Sequence, residues 1–357
     1  MKKTRVILAA FWFLSVFNFP PCSALSANIQ PLSAQDHFSH QMGDRCYTES
    51  WNYHIMLDTG EIVSLVFVLS NLGIVSGYAG VQFTLSSAHA DPVIVKDELS
   101  FSHFKQNLKD GTISIGTHSM ELKDGLTRLT FSKDGISADL TIRPWMAGIQ
   151  IPGATIVINK EKGEFYRTFV EIPRGDLNGE LTVQGARRSV SGAVYMDHII
   201  SNVLPTSFSR TWYSLRAFFP DYTVALLEFQ YLPKAGGGRW AIGYITDRNK
   251  VLAISTDYKV EKSGTFKDKS SLMPDNFEVR MAVGDMKLNG SFHSDELCCR
   301  SAVFDNYSWL ARNIAKSLAG NPVVFRFLSH ADLLLTISDQ SRHLEGPAYV
   351  GIVRMGN

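Results

Sequence analysis

Whole classes of function are closed to this chain by what it lacks. It contains no Gly-x-Ser-x-Gly elbow, no His-x-His or His-Glu-x-x-His pair and no Cys-x-x-Cys. A nucleophile elbow, a helix-borne zinc site and a thioredoxin-type redox pair therefore have no starting point. Gly236-Gly-Gly238 is followed by Arg239 rather than Lys-Ser or Lys-Thr, and reads as a hairpin turn, not a phosphate loop. An excess of charge is missing too: 35 basic and 34 acidic residues leave a net charge of +1, without the basic field that nucleic acid requires. After Phe19 no apolar run is long enough to span a membrane.

The first residues read as a targeting segment. Lys2, Lys3 and Arg5 precede an apolar run from Val6 to Phe19, broken only by Ser15 and Asn18, and small residues follow at Ala24 and Ala27. The run falls short of the roughly 20 residues of a spanning helix, so a cleaved secretory signal over residues 1–27 is expected. The short basic region points to a bacterial, periplasmic or secreted location. Export permits disulfides. Cysteine is scarce at 4 residues; Cys46 bridged to Cys298 or Cys299 is one expectation, three unpaired thiols the other.

What the chain does have is β-structure. Trp51 to Leu57 alternates, Asp58-Thr-Gly60-Glu turns it, and Ile62 to Leu69 returns as a hairpin partner. Strand-like runs continue at 76–85, 111–118, 126–131 and 136–142, with Lys123-Asp-Gly125 and Lys133-Asp-Gly135 as turns. Two more, at 166–172 and 180–183, are separated by Pro173-Arg-Gly-Asp176 and Asn178-Gly179. The second half repeats this grammar from Val190 to Val353, with its final runs at 323–328, 331–337 and 349–353. One helix is expected, capped by Asp305, with Trp309, Leu310, Ile314 and Leu318 at helical spacing, and ended by Gly320-Asn-Pro322. About 15 or more short strands without α/β alternation predict an all-β protein of two nearly closed antiparallel barrels of about eight strands each. The expected division is a linker over 28–45, a first barrel over 46–187 and a second over 188–357.

Two runs carry the candidate chemistry: Gly192-Ala-Val-Tyr195-Met-Asp197-His198 and Arg210-Thr-Trp212-Tyr213-Ser-Leu-Arg216. Consecutive strands usually pair, so Tyr195, Asp197, Trp212 and Arg216 are expected to line one pocket. On a regular strand Tyr195 and Asp197 share a face and His198 looks the other way; Trp212 and Arg216 likewise share a face that Tyr213 does not. The competing expectations are structural. Asp197 pairs with Arg210 or Arg216 at a seam; Trp51, Tyr53, Trp212 and Trp240 form barrel core; Glu49 acts as a barrel-closing hydrogen bonder.

Glu49-Ser-Trp51-Asn-Tyr53 before its glycine turn, together with the Tyr195-Met-Asp197-His198 element, resembles the tandem lipocalin-like superfamily of carotenoid 1,2-hydratases, AttH-like bacterial proteins and survival-factor proteins. The resemblance implies two calycin-type, lipocalin-like barrels side by side with an apolar ligand in or between them. Asn202-Val-Leu-Pro205 and Arg210-Thr-Trp212 are closer to the survival-factor branch, for which it implies lipid handling. The main expectation is an exported binding protein for a lipid, isoprenoid or other apolar small molecule, with Trp212, Arg216, Tyr213, Trp51, Tyr53 and Glu49 at the ligand. The alternative is a hydratase- or cyclase-type enzyme acting on an isoprenoid or polyene. There Asp197 would be the acid, Tyr195 or His198 would position water, and Trp212 or Tyr213 would face the cation. A third expectation, an interaction protein without ligand, requires filled barrels. No cofactor, metal, nucleic-acid partner or membrane span after cleavage of the signal is expected; contact with a membrane surface is left open.

Overall fold

The computed structural model describes residues 29–41, 43–44, 46–72, 75–268, 271–302 and 320–356. The signal segment 1–27 and the helix expected from Asp305 to Leu318 lie outside the described residues.

Antiparallel strands make up nearly all of the described chain, in a 14-stranded sheet, a 9-stranded sheet and a 2-stranded ribbon. Turn chemistry sets the local connections. Asp124-Gly125 and Asp134-Gly135 both adopt positive φ (53° and 75°, 49° and 77°), the backbone of two-residue hairpin turns whose twist matches that of the strands they join. The only α-helix among the described residues is the single turn Pro205–Phe208, and no helix there is long and apolar enough to cross a membrane.

The first sheet runs from the Val93–Ser100 strand at one end of its order to Phe104–Asn107 at the other. It curls until its ends meet. His118 Nε2 and Lys133 Nζ, from strands near one end, lie 2.9 Å and 2.6 Å from Asp97 at the other. Across the interior the Tyr53 hydroxyl reaches Met120 Sδ at 3.5 Å. The result is a nearly closed barrel filled with side chains, among them Trp51, Tyr53, Phe67, Phe83 and Phe131. The second sheet, from Ser209 to Arg354, encloses its own core around Phe277, Phe292, Phe325 and Phe327.

Two expectations about strand breaks are corrected. The runs 166–172 and 180–183 are one strand, Glu164–Val183, and its register shifts between Val170 and Gly175. Pro173 cannot donate to the ladder, so the chain absorbs it as a bulge rather than turning. The runs 323–328 and 331–337 are likewise one strand, Val323–Ile337. The chain also changes sheet later than expected. Gln184-Gly185 is a hairpin inside the first sheet, because Ala186–Ser201 pairs with both Glu164–Val183 and Thr48–Leu57. The crossing falls between Ser201 and Ser209, where Pro205 opens the helical turn.

The expected bridge is corrected as well: Cys46, Cys298 and Cys299 are free thiols. Both members of the adjacent pair are buried in the second sheet with local partners. Cys298 Sγ donates to the Arg326 carbonyl at 3.2 Å and Cys299 Sγ accepts from Arg326 Nη1 at 3.6 Å.

A third hydrophobic cluster draws on both sheets and forms the seam between them. It includes Met56, Ala193, Tyr195 and Val170 from the first and Phe218, Tyr244 and Tyr349 from the second.

Candidate functional site

Strand alternation divides the Tyr195-Met-Asp197-His198 element between two environments. Val194, Met196 and Ile200 join the interior of the first sheet, whereas Ala193 and Tyr195 join the seam. The neighbouring strand does the same: Trp51, Tyr53 and Ile55 go inward and Met56 goes to the seam. Register places Asp197 opposite Asn52 and Tyr195 opposite His54.

In the seam, Asp197 Oδ1 accepts from Asn52 Nδ2 at 2.8 Å, and its Oδ2 stands 3.2 Å from Arg216 Nη2. Burial raises the proton affinity of Asp197, and Arg216 and Asn52 only partly offset it. The Arg216 guanidinium carbon also lies 4.1 Å from the Tyr195 ring centroid and 5.8 Å from that of Tyr349. The hydroxyls of Tyr195 and Tyr244, Nδ1 of His54 and Nε of Arg216 and Arg326 are buried here without a hydrogen bond of good geometry. Buried polar atoms are usually paired with protein or ordered water, so such a concentration is uncommon. Burial holds His54 well below its ordinary pKa, so its imidazole is neutral.

A cleft of about 560 Å³ opens beside this group, lined by Met56, Asp58, Arg174, Asp176, Ala193 and Phe218 among others. Met56 and Phe218 also wall a narrow gap that reaches His54, Arg216 and Tyr349 and does not admit a water-sized sphere. Those two side chains therefore separate the open cleft from the buried polar atoms. Arg174 sits between the rings of Trp145 and Phe218, at 4.7 Å and 4.9 Å, and burial pulls its pKa down to about 10.

His198 belongs to a different assembly inside the first sheet. Its Nε2 lies 2.8 Å from Glu49 Oε1 and its Nδ1 3.0 Å from Glu171 Oε1, and the ring stacks on Trp51 at 4.6 Å. Although burial opposes charge on the ring, the two carboxylates raise its pKa to about 9, and the same contacts bring Glu49 down to about 2. His198 is thus an imidazolium held between two carboxylates. The segment before the first long strand closes over it: His37 Nδ1 meets Glu171 at 2.7 Å, Ser39 Oγ donates to Glu49 at 2.6 Å, and Trp51 Nε1 donates to the His37 carbonyl.

The structure therefore brings Tyr195, Asp197 and Arg216 together at the seam, and Glu49, Trp51 and His198 together in the first interior. Tyr53 lies in that same interior. Tyr213 faces the second interior, where Lys262 Nζ stands 4.6 Å from its ring. Trp212 lies in an adjoining aromatic cluster, stacked on Phe229 at 4.6 Å and edge-on to Tyr166 at 5.6 Å. The two candidate runs do not pair with each other as expected. Ser209–Phe218 pairs with Thr223–Tyr231 and Gln340–Arg354, so the runs face each other from different sheets. Sequence reasoning overlooked Asn52 and His54, although the period-2 rule that sends Trp51 and Tyr53 inward sends these two to the other face. Tyr244, Arg326 and Tyr349 come from distant strands, and no local signal marks them.

The family model of the Svf1 family matches residues 24–352. The chain belongs to the Svf1 family. A search of the curated proteins finds no match. Among solved structures, the chain is similar to an AttH-type protein from Nitrosomonas europaea, with a TM-score of 0.64 at 11% identity over 93% of this chain and 99% of that one. It is similar to CghA, also solved with Sch210972, with a TM-score of 0.64 at 13% identity over 94% of this chain and 95% of that one. It is similar as well to kievitone hydratase from Nectria haematococca, with a TM-score of 0.58 at 12% identity over 94% and 96%. At these identities the likeness is one of fold.

Proposed function

We propose that this protein is a hydratase- or cyclase-type enzyme acting on an apolar, isoprenoid- or polyene-like substrate held in the seam between two lipocalin-like barrels, which meet near residues 202–208. The observation that carries this reading is Asp197, a buried carboxyl of raised proton affinity that stands in the seam beside the Tyr195 hydroxyl. Raised proton affinity shifts Asp197 toward the form that can give a proton to the carbon of a C=C bond. In the step proposed, the Asp197 O–H bond breaks as a C–H bond forms, and Arg216 stabilises the carboxylate left behind. Tyr195 and Tyr244, both in the seam, supply aromatic rings to the cation. Water then adds to the cation, or an internal double bond closes a ring, and the proton lost in that step returns to Asp197. The neighbour named as a hydratase supports this reading over that of a carrier. The leader-like first residues favour work in the periplasm or outside the cell.

A second reading, a carrier for a lipid or other apolar molecule, is favoured by the two ties on Asp197 from Asn52 and Arg216. Asp197→Asn separates the two. For an enzyme, incubation with a panel of isoprenoids and polyenes yields a product heavier by one water, or a cyclised isomer, with the wild type only, while the variant still binds. For a carrier, neither protein forms product and both bind alike.

A further inference from the structure

The seam buries more positive than negative charge. Arg216, Arg326 and Asp197 are 3%, 7% and 4% exposed. Arg216 is engaged by Asp197 and by the hydroxyl of Ser214 at 3.1 Å. Arg326 lies on a strand whose Phe325 and Phe327 face the second interior, so its own side chain is turned to the seam. It donates to Cys299 Sγ at 3.6 Å and interacts with the Tyr349 hydroxyl, and no carboxylate pairs with it among the described residues. The Nε atoms of both arginines are unsatisfied. The surrounding titratable groups supply no counter-charge. Burial keeps His54 neutral, pushes Tyr195, Tyr244 and Tyr349 upward, and raises Cys298 to about 11. Tyr349 stands between the two guanidinium groups: that of Arg216 lies 5.8 Å from its ring centroid, and that of Arg326 interacts with its hydroxyl. A buried cation without an anion is among the costlier arrangements a fold can keep.

We propose that the seam recognises an amphiphile with a carboxylate head, the head meeting Arg326 and Arg216 and the tail lying along the apolar seam toward the cleft. The planar fork of arginine matches a carboxylate with two parallel hydrogen bonds. This proposal rests on the seam being the ligand site, and holds whether the ligand is transformed or carried.

The test uses cis-parinaric acid, a fluorescent polyene carboxylic acid, and its methyl ester, titrated against the full chain. The acid is expected to bind at least tenfold more tightly than the ester. Arg326→Met should bring the acid to the ester's affinity and leave the ester unchanged; if that variant does not fold, the acid-to-ester ratio of the wild type stands as the test. Equal binding of acid and ester overturns the proposal. If Phe218→Trp, which fills the seam, still weakens both probes in that case, the seam remains the ligand site and only the carboxylate is refuted. Failure of both probes to bind overturns the seam reading along with it.

Discussion

Asp197 and Arg216 are 19 residues apart in sequence and belong to different sheets, yet Oδ2 of one lies 3.2 Å from Nη2 of the other. The pair bridges the seam.

Removing one partner should cost more than removing both. Arg216→Met removes one of the two ties on the buried Asp197 carboxyl and is expected to destabilise the protein by about 1 to 3 kcal/mol. Adding Asp197→Asn should recover part of this loss, with a coupling of about 1 to 3 kcal/mol in urea unfolding. Simple additivity would mean that the pair contributes nothing as a pair.

Stability should depend on pH through Glu49 and His198. His198 rises from an ordinary 6.5 to about 9, so its contribution is complete below 6.5 and is lost as pH climbs through 9. Glu49 falls from 4.5 to about 2, so its contribution is complete above 4.5 and is lost as pH drops toward 2. Thermal unfolding midpoints should therefore be highest between 4.5 and 6.5, and Glu49→Gln should flatten both limbs. A wild-type midpoint unchanged from pH 6 to 9 would contradict the buried imidazolium.

The thiols should separate by accessibility. Cys46 is expected to react with a thiol reagent in the native protein, whereas Cys298 and Cys299 react only after denaturation, since both are buried and the Cys298 thiol is pushed up to about 11. Peptide mapping without reductant should recover no peptide linked through Cys46.

Phe218 should act as the barrier between cleft and seam. Phe218→Ala is expected to lower stability by about 3 to 5 kcal/mol through the cavity it leaves. The same change should speed parinaric acid association severalfold in stopped-flow fluorescence, because it joins the cleft to the gap beside Arg216. An unchanged association rate would place the entry route elsewhere.

The all-β class, the hairpins at Asp124-Gly125 and Asp134-Gly135, and the opposed faces of Asp197 and His198 were legible in the sequence. Each follows from local rules: positive φ at the turn residues, and a side-chain period of two along a strand. The bulge at Pro173 was misread as a turn because only the partner strands show that the ladder resumes on its far side. The Cys46 bridge was a matter of compartment and counting, whereas pairing requires proximity that the two sheets do not provide.

By itself, then, the order of residues determined which side chains share a face, since backbone geometry acts over two or three positions. It did not determine what each face meets. Glu49 and Glu171 close on His198 from strands that flank its own, and His37 arrives from a segment before the first long strand. Arg216 reaches Asp197 from the other sheet, and Arg326 comes from more than a hundred residues later. These meetings, and the buried charges they leave paired or unpaired, depend on how strands distant in sequence pair and how two sheets pack, and only the tertiary structure decides that.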